Sequence, residues 1–253
     1  MENEKILNLV IPMAGRGQRF KDAGYTFPKP LIEVGGKSMI ELVVNNLTPA
    51  VKHKFIFICQ KEHHDTYDLY NVLKRASNNN FEIVTVNGIT EGAVCTVLLA
   101  LQHINNDNDL LIANSDQLVD ININDFIHDA REGAKDGLIM TFNANHPKWS
   151  YARTDGSKKV LEAAEKKVIS NDATVGIYYF KKGSDFVQSS QAMIEKNIRY
   201  NNEFYVCPVY NELILQDKNI YIHPIPVEKM HGLGTPEDLN TFLGKLNKGE
   251  IKI

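Results

Sequence analysis

The sequence is poor in the residues that define disulfide-stabilised and metal-cluster proteins. Its 253 residues include three cysteines, and their odd number and wide spacing fit neither a disulfide framework nor a zinc-binding pattern. It lacks an apolar run long enough to cross a membrane, and residues 1–5 lack the basic start of a secretion signal. These absences predict a cytoplasmic protein that does not insert into a membrane.

Neither sign of charge dominates the composition. Lysine and arginine number 28, aspartate and glutamate number 31, and the formal net charge is −3. A surface of this kind argues against nucleic-acid and acidic-membrane partners, which select strongly basic proteins. The length is sufficient for one large α/β domain with a full core, and the hydrophobic content of 43% is ordinary for a globular protein.

Apolar runs alternate with amphipathic segments, which predicts an α/β fold with a doubly wound, mostly parallel (mixed) sheet. Predicted strands span residues 7–13, 55–59, 81–86, 110–113, 138–142, 159–164, 173–180 and 220–225. Predicted helices span residues 38–47, 62–76, 93–103, 185–197, 209–215 and 236–246. Ligands of such sheets bind beyond the carboxyl ends of the strands. The segments 14–17, 87–92 and 114–117 follow three of these strands, and we expect them to converge.

The first predicted strand runs into a turn that suits phosphate. Glycines at positions 15 and 17 allow backbone N–H groups to point into one concavity. Arg19 and Lys29 follow, and two cations from one segment can neutralise a triphosphate and stabilise charge on a reacting phosphorus. We therefore predict Arg19 and Lys29 as catalytic residues. The predicted nucleotide-binding residues of the turn are Ala14, Gly15, Arg16 and Gly17.

Two other glycine motifs fit this segment less well. The dinucleotide-binding motif requires a third glycine where this chain has Phe20. The Walker motif ends in Gly-Lys-Ser, as residues 36–38 do, but Leu31 stands where its first glycine belongs. Ser38 and Glu41 instead form a predicted capping box at the start of a helix, so Gly35 and Gly36 are predicted to form a turn.

Read with its flanks, the segment resembles the nucleotidyltransferases that make sugar nucleotides. Their signature is a Gly-x-Gly-x-Arg turn followed by Pro-Lys-Pro-Leu, and residues 15–19 and 28–31 of this chain match both parts. The resemblance implies one nucleotidyltransferase domain over residues 1–253, with a nucleotide-binding half (1–120) and an acceptor-binding half (121–253). It implies Mg²⁺-dependent transfer of a nucleotide from a nucleoside triphosphate to a phosphorylated acceptor, with release of pyrophosphate.

The resemblance also implies roles for particular side chains. Asp116 would bind Mg²⁺, which prefers one or two carboxylates together with phosphate oxygens. Arg19 would bind the leaving phosphates, and Lys29 would bridge the α-phosphate and the acceptor. Asn87 and Gly92 would contact the base. Each has an ordinary alternative, since an aspartate after a strand can cap a turn and Asn-Gly is a common turn sequence.

Acceptor binding is implied for four residues of the second half, namely Ser150, Glu165, Lys166 and Gly176. Lys166 would bind the acceptor's phosphate. The alternative is that the charged residues form a solvated strand face.

Two departures from the family pattern concern the acceptor and the metal. Residues 149–152 read Trp-Ser-Tyr-Ala where the family has Tyr-Gly-Val, which indicates an acceptor other than a hexose 1-phosphate. Gly232 stands where an aspartate commonly completes the metal site. His231, water or another carboxylate could take its place.

These departures, together with residues 146–151 and 202–210, resemble a capsule-cluster subgroup that includes a CTP:phosphoglutamine cytidylyltransferase of the O-methyl phosphoramidate pathway. The subgroup implies CTP as the nucleotide and glutamine phosphate as a candidate acceptor. Glu165 or Glu203 could then bind the acceptor's ammonium group, whereas its carboxylate has no evident partner.

Other functions remain open at this point. The chain could make an ordinary nucleotide sugar, and a homo-oligomer is compatible with either reaction. A glycosyltransferase of the same fold would need an Asp-x-Asp motif, and here Asn114 stands at the position of its first aspartate. A non-catalytic nucleotide-binding regulatory subunit would explain Gly232 but not the retention of Arg19, Lys29 and Asp116.

Overall fold

The computed structural model describes residues 5–253, so most of the segment judged to lack a secretion signal (1–4) lies outside the described residues. Within residues 5–253 the strands are β1 Leu7–Pro12, β2 Glu33–Val34, β3 Lys37–Ser38, β4 His53–Gln60, β5 Phe81–Val86, β6 Asp109–Ala113, β7 Gln117–Val119, β8 Gly137–Asn143, β9 Tyr151–Thr154, β10 Val160–Ala164, β11 Asp172–Phe180, β12 Ile220–Ile225 and β13 Met230–Gly232. The helices are α1 Gln18–Asp22, α2 Met39–Leu47, α3 Lys61–Thr66, α4 Leu69–Ala76, α5 Ala93–Leu98, α6 Leu101–Ile104, α7 Ile123–Arg131, α8 Gly183–Glu195, α9 Val209–Ile214 and α10 Pro236–Asn247.

A large mixed sheet forms the centre of the fold. Strands β6, β1, β4 and β5 are parallel neighbours. Beyond β6 lies β11, which runs antiparallel to it, followed by β8 and then β12. Only β11 and β10 run against the other strands of this sheet in the described part of the chain. The predicted mixed, mostly parallel sheet is therefore confirmed.

Both faces of the sheet are buried. Leu7, Leu9 and Ile11 of β1 face one apolar cluster, and Val10 faces the other. A strand covered on both sides must be apolar at successive positions, which explains the continuous hydrophobic runs that predicted the parallel strands. Helices pack on both faces, as a doubly wound fold requires.

Two predicted helices are interrupted, which corrects the prediction of continuous helices over 62–76 and 93–103. The first breaks at Tyr67, which adopts an extended conformation and places its ring 5.9 Å from that of Phe27. The second breaks at Leu99 and Ala100, where Ala100 N–H bonds to the carbonyl of Val97, three residues back. Such bonds tighten the backbone and end the α-helical ladder.

The Gly35 and Gly36 prediction is confirmed. Both residues have positive φ, 59° and 86°, and they join β2 to β3 in a two-residue hairpin. Ser38 then caps α2, where its backbone N–H and hydroxyl both bond to the Glu41 carboxylate and its Oγ accepts from Glu41 N–H. This geometry is a capping box and not a phosphate cradle.

The sheet contains a junction that shapes the site. β11 pairs with β6 through residues 177–180, but at Ala173 it pairs with β9 instead. Between these regions β11 carries an irregularity, and Asn114 N–H bonds to the carbonyl of Gly176. A cleft therefore opens where β6 ends and β9 begins.

The search for membrane spans in residues 5–253 finds no helix with the length and apolar character needed to cross a bilayer.

Candidate active site

The turn after β1 packs directly against Lys29. Gly17 has a φ of 61° and precedes the first residue of α1. A Cβ at Gly17 would lie 3.2 Å from Lys29 Cβ, so glycine is needed both for the backbone conformation and for this close approach. Gly15 has open space on its Cα, and no steric need for glycine arises there. The turn thus brings the predicted nucleotide-binding and catalytic segments together.

Both arginines of this turn are available to bind a ligand. Arg16 and Arg19 are exposed, and neither pairs with a carboxylate within residues 5–253. Arg19 lies in the first turn of α1. Unpaired guanidinium groups suit phosphate oxygens, which they can bind through two parallel hydrogen bonds.

Lys29 and Asp116 form an ion pair. Lys29 begins a short 3₁₀ turn after Pro28, and Asp116 lies in the loop between β6 and β7. The Nζ atom is 2.8 Å from Asp116 Oδ2, and each side chain is 21% exposed. Residues 87 positions apart in the sequence therefore meet at the carboxyl ends of the strands, where the sequence predicted convergence.

The backbone after β13 holds Asp116 in position. Leu233 N–H donates to the Asp116 carbonyl at 2.7 Å. A Cβ at Gly234 would approach Asp116 Oδ2 to 2.9 Å, so a larger residue there would require the carboxylate to shift. The segment that contains Gly232, where the family commonly has an aspartate, therefore lies beside the predicted metal ligand.

Asp116 provides a single carboxylate to a metal. Within residues 5–253 no group of three or more His, Cys, Asp or Glu side chains is placed to hold a metal ion. One carboxylate nevertheless fits Mg²⁺, which keeps water and takes phosphate oxygens from the substrate. The residues present therefore fit a metal that is held largely by a bound nucleotide.

Of the open substitutes for an aspartate at position 232, His231 is poorly oriented. β13 pairs with β7, with His231 opposite Leu118 and Gly232 opposite Gln117. Neighbouring strand residues point to opposite faces, and His231 is buried with its ring 5.7 Å from that of Phe242.

A carboxylate that the sequence analysis did not single out lies near Gly232. A Cβ added at Gly232 would lie 3.7 Å from the carboxyl carbon of Asp238. Asp238 belongs to the first turn of α10, where its N–H bonds to Thr235 Oγ1. The Thr-Pro-x-Asp sequence at the start of α10 indicates a helix N-terminus. It does not show that Asp238 lies close to β13.

The residues predicted to bind the base lie at the two ends of the loop between β5 and α5. Asn87 is exposed after β5. Gly92 has a φ of +114°, and a Cβ there would lie 2.5 Å from the backbone nitrogen of Phe204, so packing alone accounts for its glycine. Gln60 Nε2 donates to the carbonyls of Ala14 and Gly88, at 2.5 and 2.7 Å. Gln60 therefore ties the turn after β1 to the loop after β5.

All four predicted acceptor-binding residues line one cavity of about 260 Å³, located at the junction of β6, β9 and β11. A cavity of this size is smaller than a typical site for a drug-sized ligand. The sequence analysis missed several other lining side chains, among them Asn114, Gln117, Lys148 and Tyr205. Asn114 and Gln117 flank Ser115 and Asp116 in sequence, so this cavity adjoins the Lys29–Asp116 pair.

Gly176 makes room for the two amides. It has a φ of +94°, and a Cβ there would lie 2.3 Å from both Asn114 Nδ2 and Gln117 Oε1. Asn114 Nδ2 donates to Gln117 Oε1 at 3.3 Å. The glycine thus allows an amide pair to lie against β11.

Glu165 is a buried carboxylate beside this cavity. Its Oε2 accepts a short hydrogen bond from Ser150 Oγ, and it forms no ion pair with any residue in 5–253. Burial raises the pKa of Glu165, against opposing effects of Ser150 and of nearby Lys166. A buried carboxylate with no ion-pair partner favours a bound cation or a proton.

Lys166 is held by aromatic side chains. Its Nζ donates to Tyr205 Oη at 3.0 Å and lies over the rings of Tyr200 and Tyr205. Tyr205 Oη in turn donates to Glu203 Oε2 at 2.6 Å. Burial and Glu203 raise the pKa of Tyr205 above its usual range, so the phenol keeps its proton.

Known proteins share both sequence and fold with this chain. A family model described as "Nucleotidyl transferase" matches residues 9–214. The "Bifunctional protein GlmU" of Methanococcus aeolicus is 25% identical over 179 residues, which cover 69% of this chain and 40% of that relative. This chain therefore spans about two-fifths of the relative's length.

Solved structures match almost end to end. A nucleoside-diphosphate-sugar pyrophosphorylase from Vibrio cholerae RC9 has a TM-score of 0.80 at 27% identity, covering 93% of this chain and 99% of the other. An inositol-1-phosphate CTP transferase from T. maritima has a TM-score of 0.74 at 11% identity, covering 97% and 98%. The second likeness is one of fold alone. Together these matches confirm the predicted fold class.

Proposed function

Because this chain belongs to the nucleotidyl transferase family, we propose that it transfers a nucleotide from a nucleoside triphosphate to a small phosphorylated acceptor. The observation that carries the proposal is the Lys29–Asp116 pair, which packs against an arginine-bearing glycine turn and adjoins a cavity of about 260 Å³. The turn suits a triphosphate, and the cavity suits a second, smaller substrate. A site between the two is where a phosphorus atom could be transferred.

The proposed reaction is an in-line displacement at the α-phosphorus. An oxygen of the acceptor's phosphate forms a bond to this phosphorus while the bond to the bridging oxygen of the β-phosphate breaks, and pyrophosphate leaves. The attacking oxygen is already ionised at neutral pH, so no general base is required. Catalysis then depends on positioning and on charge stabilisation.

The chain's cations divide between these tasks. Arg16 and Arg19, with backbone N–H groups of residues 14–17, bind the triphosphate. Arg19 stabilises the leaving phosphates, and Lys29 leaves Asp116 to contact the α-phosphate, where negative charge grows. Asp116 would hold Mg²⁺, which when bound supplies further neutralisation of the phosphate oxygens.

The proposed nucleotide is CTP. Its support is the subgroup resemblance and the position of Asn87 at the carboxyl end of β5, where a side-chain amide can both donate to and accept from a cytosine edge. Gly92 stays a proposed base contact, although the backbone of Phe204 already explains why it is glycine.

The proposed acceptor is a small phosphorylated compound, with glutamine phosphate as the candidate and modification of a capsular or surface polysaccharide as its use. Trp149 lies on the cavity wall and packs on Phe142 at 5.2 Å, which supports an acceptor unlike a hexose. Lys166 binds the acceptor's phosphoryl group, and Ser150, Glu165 and Gly176 shape the rest of the cavity.

We further propose that residues 1–253 act as one domain. The 1–120 half holds the nucleotide and the 121–253 half holds most of the acceptor. The cavity draws Asn114 and Gln117 from the first half, which supports a site shared between the halves.

The test is pyrophosphate release with four nucleoside triphosphates against glutamine phosphate, glucose 1-phosphate and phosphocholine. The expected result is the highest kcat/KM for CTP with glutamine phosphate. A higher value for glucose 1-phosphate would favour the alternative of an ordinary sugar-nucleotide enzyme. The similarity to the Vibrio cholerae nucleoside-diphosphate-sugar pyrophosphorylase supports this alternative. Tight nucleotide binding without turnover of any pair would favour a non-catalytic subunit.

A further inference from the structure

The proposed acceptor cavity is lined by Glu165, Lys148 and Lys166, none of which forms an ion pair within residues 5–253. Glu165 is 9% exposed, and one of its oxygens accepts from Ser150. The other oxygen has no hydrogen-bond partner among residues 5–253 and is not among the polar atoms sealed from solvent. The neighbouring Lys166 ammonium is directed to Tyr205 instead. The cavity therefore contains a carboxylate with an unused acceptor.

A second lysine lies on the same wall. Lys148 lines the cavity, and its Nζ lies 4.6 Å from the centre of the Trp149 ring. It forms no ion pair within the part of the chain that the structure describes. Stacking on the indole holds the ammonium in place without neutralising it, so Lys148 can receive an anionic group.

Lys148 and Glu165 lie close along the chain's fold. Lys148 precedes Ser150 by two residues, and Ser150 Oγ donates to the Glu165 carboxylate. Lys148 and the residue that bonds to the Glu165 carboxylate therefore belong to one short segment, residues 148–150. Two further polar side chains of the cavity, Asn114 and Gln117, adjoin Asp116, where the reacting phosphate lies in the proposed reaction.

We infer that the cavity recognises an acceptor with a zwitterionic head group, an ammonium and a carboxylate on the same carbon, as in an α-amino acid. Glu165 binds the ammonium, and Lys148 binds the carboxylate. The phosphoryl group extends from this head group towards Lys29 and Asp116. This inference rests on the proposed function for the direction of the phosphoryl group, and it assigns the specificity of the same site.

The physical reason is charge compensation. A buried carboxylate without a counter-charge is costly, and a bound ammonium removes that cost while a neutral sugar hydroxyl does not. Lys148 is exposed, so water solvates its ammonium in the empty cavity, and the acceptor's carboxylate adds a favourable contact that a neutral ring lacks. The same pair that attracts an amino acid therefore discriminates against a hexose phosphate, because specificity follows from groups left unpaired by the wrong ligand.

Calorimetric binding separates this inference from the proposed reaction. Three probes are titrated into the full-length protein: glutamine phosphate, its N-acetyl derivative, which lacks the ammonium, and its α-carboxamide, which lacks the carboxylate. Wild-type protein is expected to bind glutamine phosphate at least about tenfold more tightly than either derivative, as for loss of one charged contact.

The variants assign each contact to a residue. Lys148→Met is expected to weaken glutamine phosphate about tenfold while leaving the Kd of the α-carboxamide unchanged. Glu165→Gln, which keeps an acceptor for Ser150, is expected to weaken glutamine phosphate while leaving the Kd of the N-acetyl derivative unchanged. Lys167→Met and Glu162→Gln are the matched controls, because both residues lie outside the cavity, and neither should alter any Kd.

The outcomes are distinct. Equal binding of all three probes to wild-type protein, no binding of glutamine phosphate, or a uniform loss across the probes in both variants would overturn the inference. Tight, selective binding without pyrophosphate release from any nucleoside triphosphate would uphold the inference and overturn the proposed transfer reaction.

Discussion

At the scale of single residues, Lys29 and Asp116 are each other's only ion-pair partners within residues 5–253. In the proposed site, a metal ion at Asp116 would compete with the Lys29 ammonium for the carboxylate. A bound nucleotide would relieve this competition, because its α-phosphate would offer the ammonium another anion. The proposed function therefore predicts that metal binding and nucleotide binding are linked through this pair.

Lys29→Ala should lower kcat far more than it raises the KM for the nucleotide. In the proposed reaction the ammonium lies where charge grows in the transition state, and such a group contributes about 10²–10³ in rate. Arg16, Arg19 and the backbone of the turn still bind the triphosphate. Steady-state pyrophosphate release measures both constants, with exposed Lys74→Ala as the control. A near-normal kcat would show that Lys29 is not catalytic.

Asp116→Asn should remove metal-dependent activity and leave the fold intact, since the side chain is partly exposed beyond the sheet. Binding of Mn²⁺, followed by electron paramagnetic resonance in the presence of CTP, should be lost in parallel. Asp120→Asn provides the control, because Asp120 is exposed and pairs with Lys229. Undiminished Mn²⁺ binding by Asp116→Asn would remove Asp116 from the metal site.

At the scale of elements, β13 carries a histidine whose environment disfavours its charged form. Burial lowers the pKa of His231, Lys245 and Lys229 lower it further, and Asp120 partly opposes them. At low pH the histidine is therefore protonated more readily in the unfolded chain than in the folded chain. The free energy of unfolding is highest above the ordinary histidine pKa of about 6.5 and falls as the pH drops through it.

We expect His231→Gln to reduce this loss of stability between about pH 7.5 and pH 5.5, a range that spans the ordinary histidine pKa of about 6.5. Urea unfolding at the two pH values measures the difference, with exposed His128→Gln as the control. The His231→Gln variant should bind Mn²⁺ as the wild-type protein does, since the His231 ring faces Phe242. An unchanged pH dependence of stability, or weakened Mn²⁺ binding, would contradict the burial and orientation seen here.

The elements differ in how well the sequence predicts them. The buried parallel strands are predicted to within a few residues because both of their faces must be apolar. Helix α7 was missed, although Asn122 caps it and Ile123, Phe126 and Ile127 form its buried face. The short strands β7, β9 and β13 carry no comparable pattern. Their pairing depends on partners distant in sequence, and the position of β9 decides where the acceptor cavity opens.

The residues of the candidate site also differ in how well the sequence predicts them. Lys29 was predicted from the cations and the family signature that follow the glycine turn, and Asp116 from its place after a strand together with the family resemblance. Lys148 and Tyr205 were not predicted as cavity residues, because the β11 irregularity that admits them is invisible in the pattern of hydrophobicity. Asp238 was missed for a related reason, since only the folded chain places α10 beside β13.

At the scale of the whole molecule, the proposed acceptor-binding half (121–253) contains the protein's single tryptophan. Trp149 packs on Phe142 of β8, so its fluorescence reports on the 121–253 half, whereas far-UV circular dichroism reports on the entire chain. If residues 1–253 form one domain, the urea transitions from the two probes should coincide. Separate midpoints would divide the chain into two folding units.

Gly92 provides a direct test of the contact between the halves. The carbonyl of Glu91 accepts from Phe204 N–H at 2.7 Å, and Val94 N–H donates back to the Phe204 carbonyl at 3.1 Å. A methyl group at Gly92 would meet the Phe204 backbone nitrogen and oxygen at 2.5 and 2.6 Å. Backbone atoms on both sides prevent a simple side-chain adjustment.

Gly92→Ala should therefore lower the free energy of unfolding by about 2–5 kcal/mol, from backbone strain together with overpacking. Gly88→Ala is the matched control, because Gly88 also has positive φ, +80°, but open space around its Cα. Strain alone should reduce its stability by about 1–2 kcal/mol. Because Ala93 lines the acceptor cavity, Gly92→Ala should also raise the KM for the acceptor, and Gly88→Ala should not. Equal losses of stability in the two variants would mean that Phe204 and its loop yield to the added methyl group, and that the halves are not held together at this point.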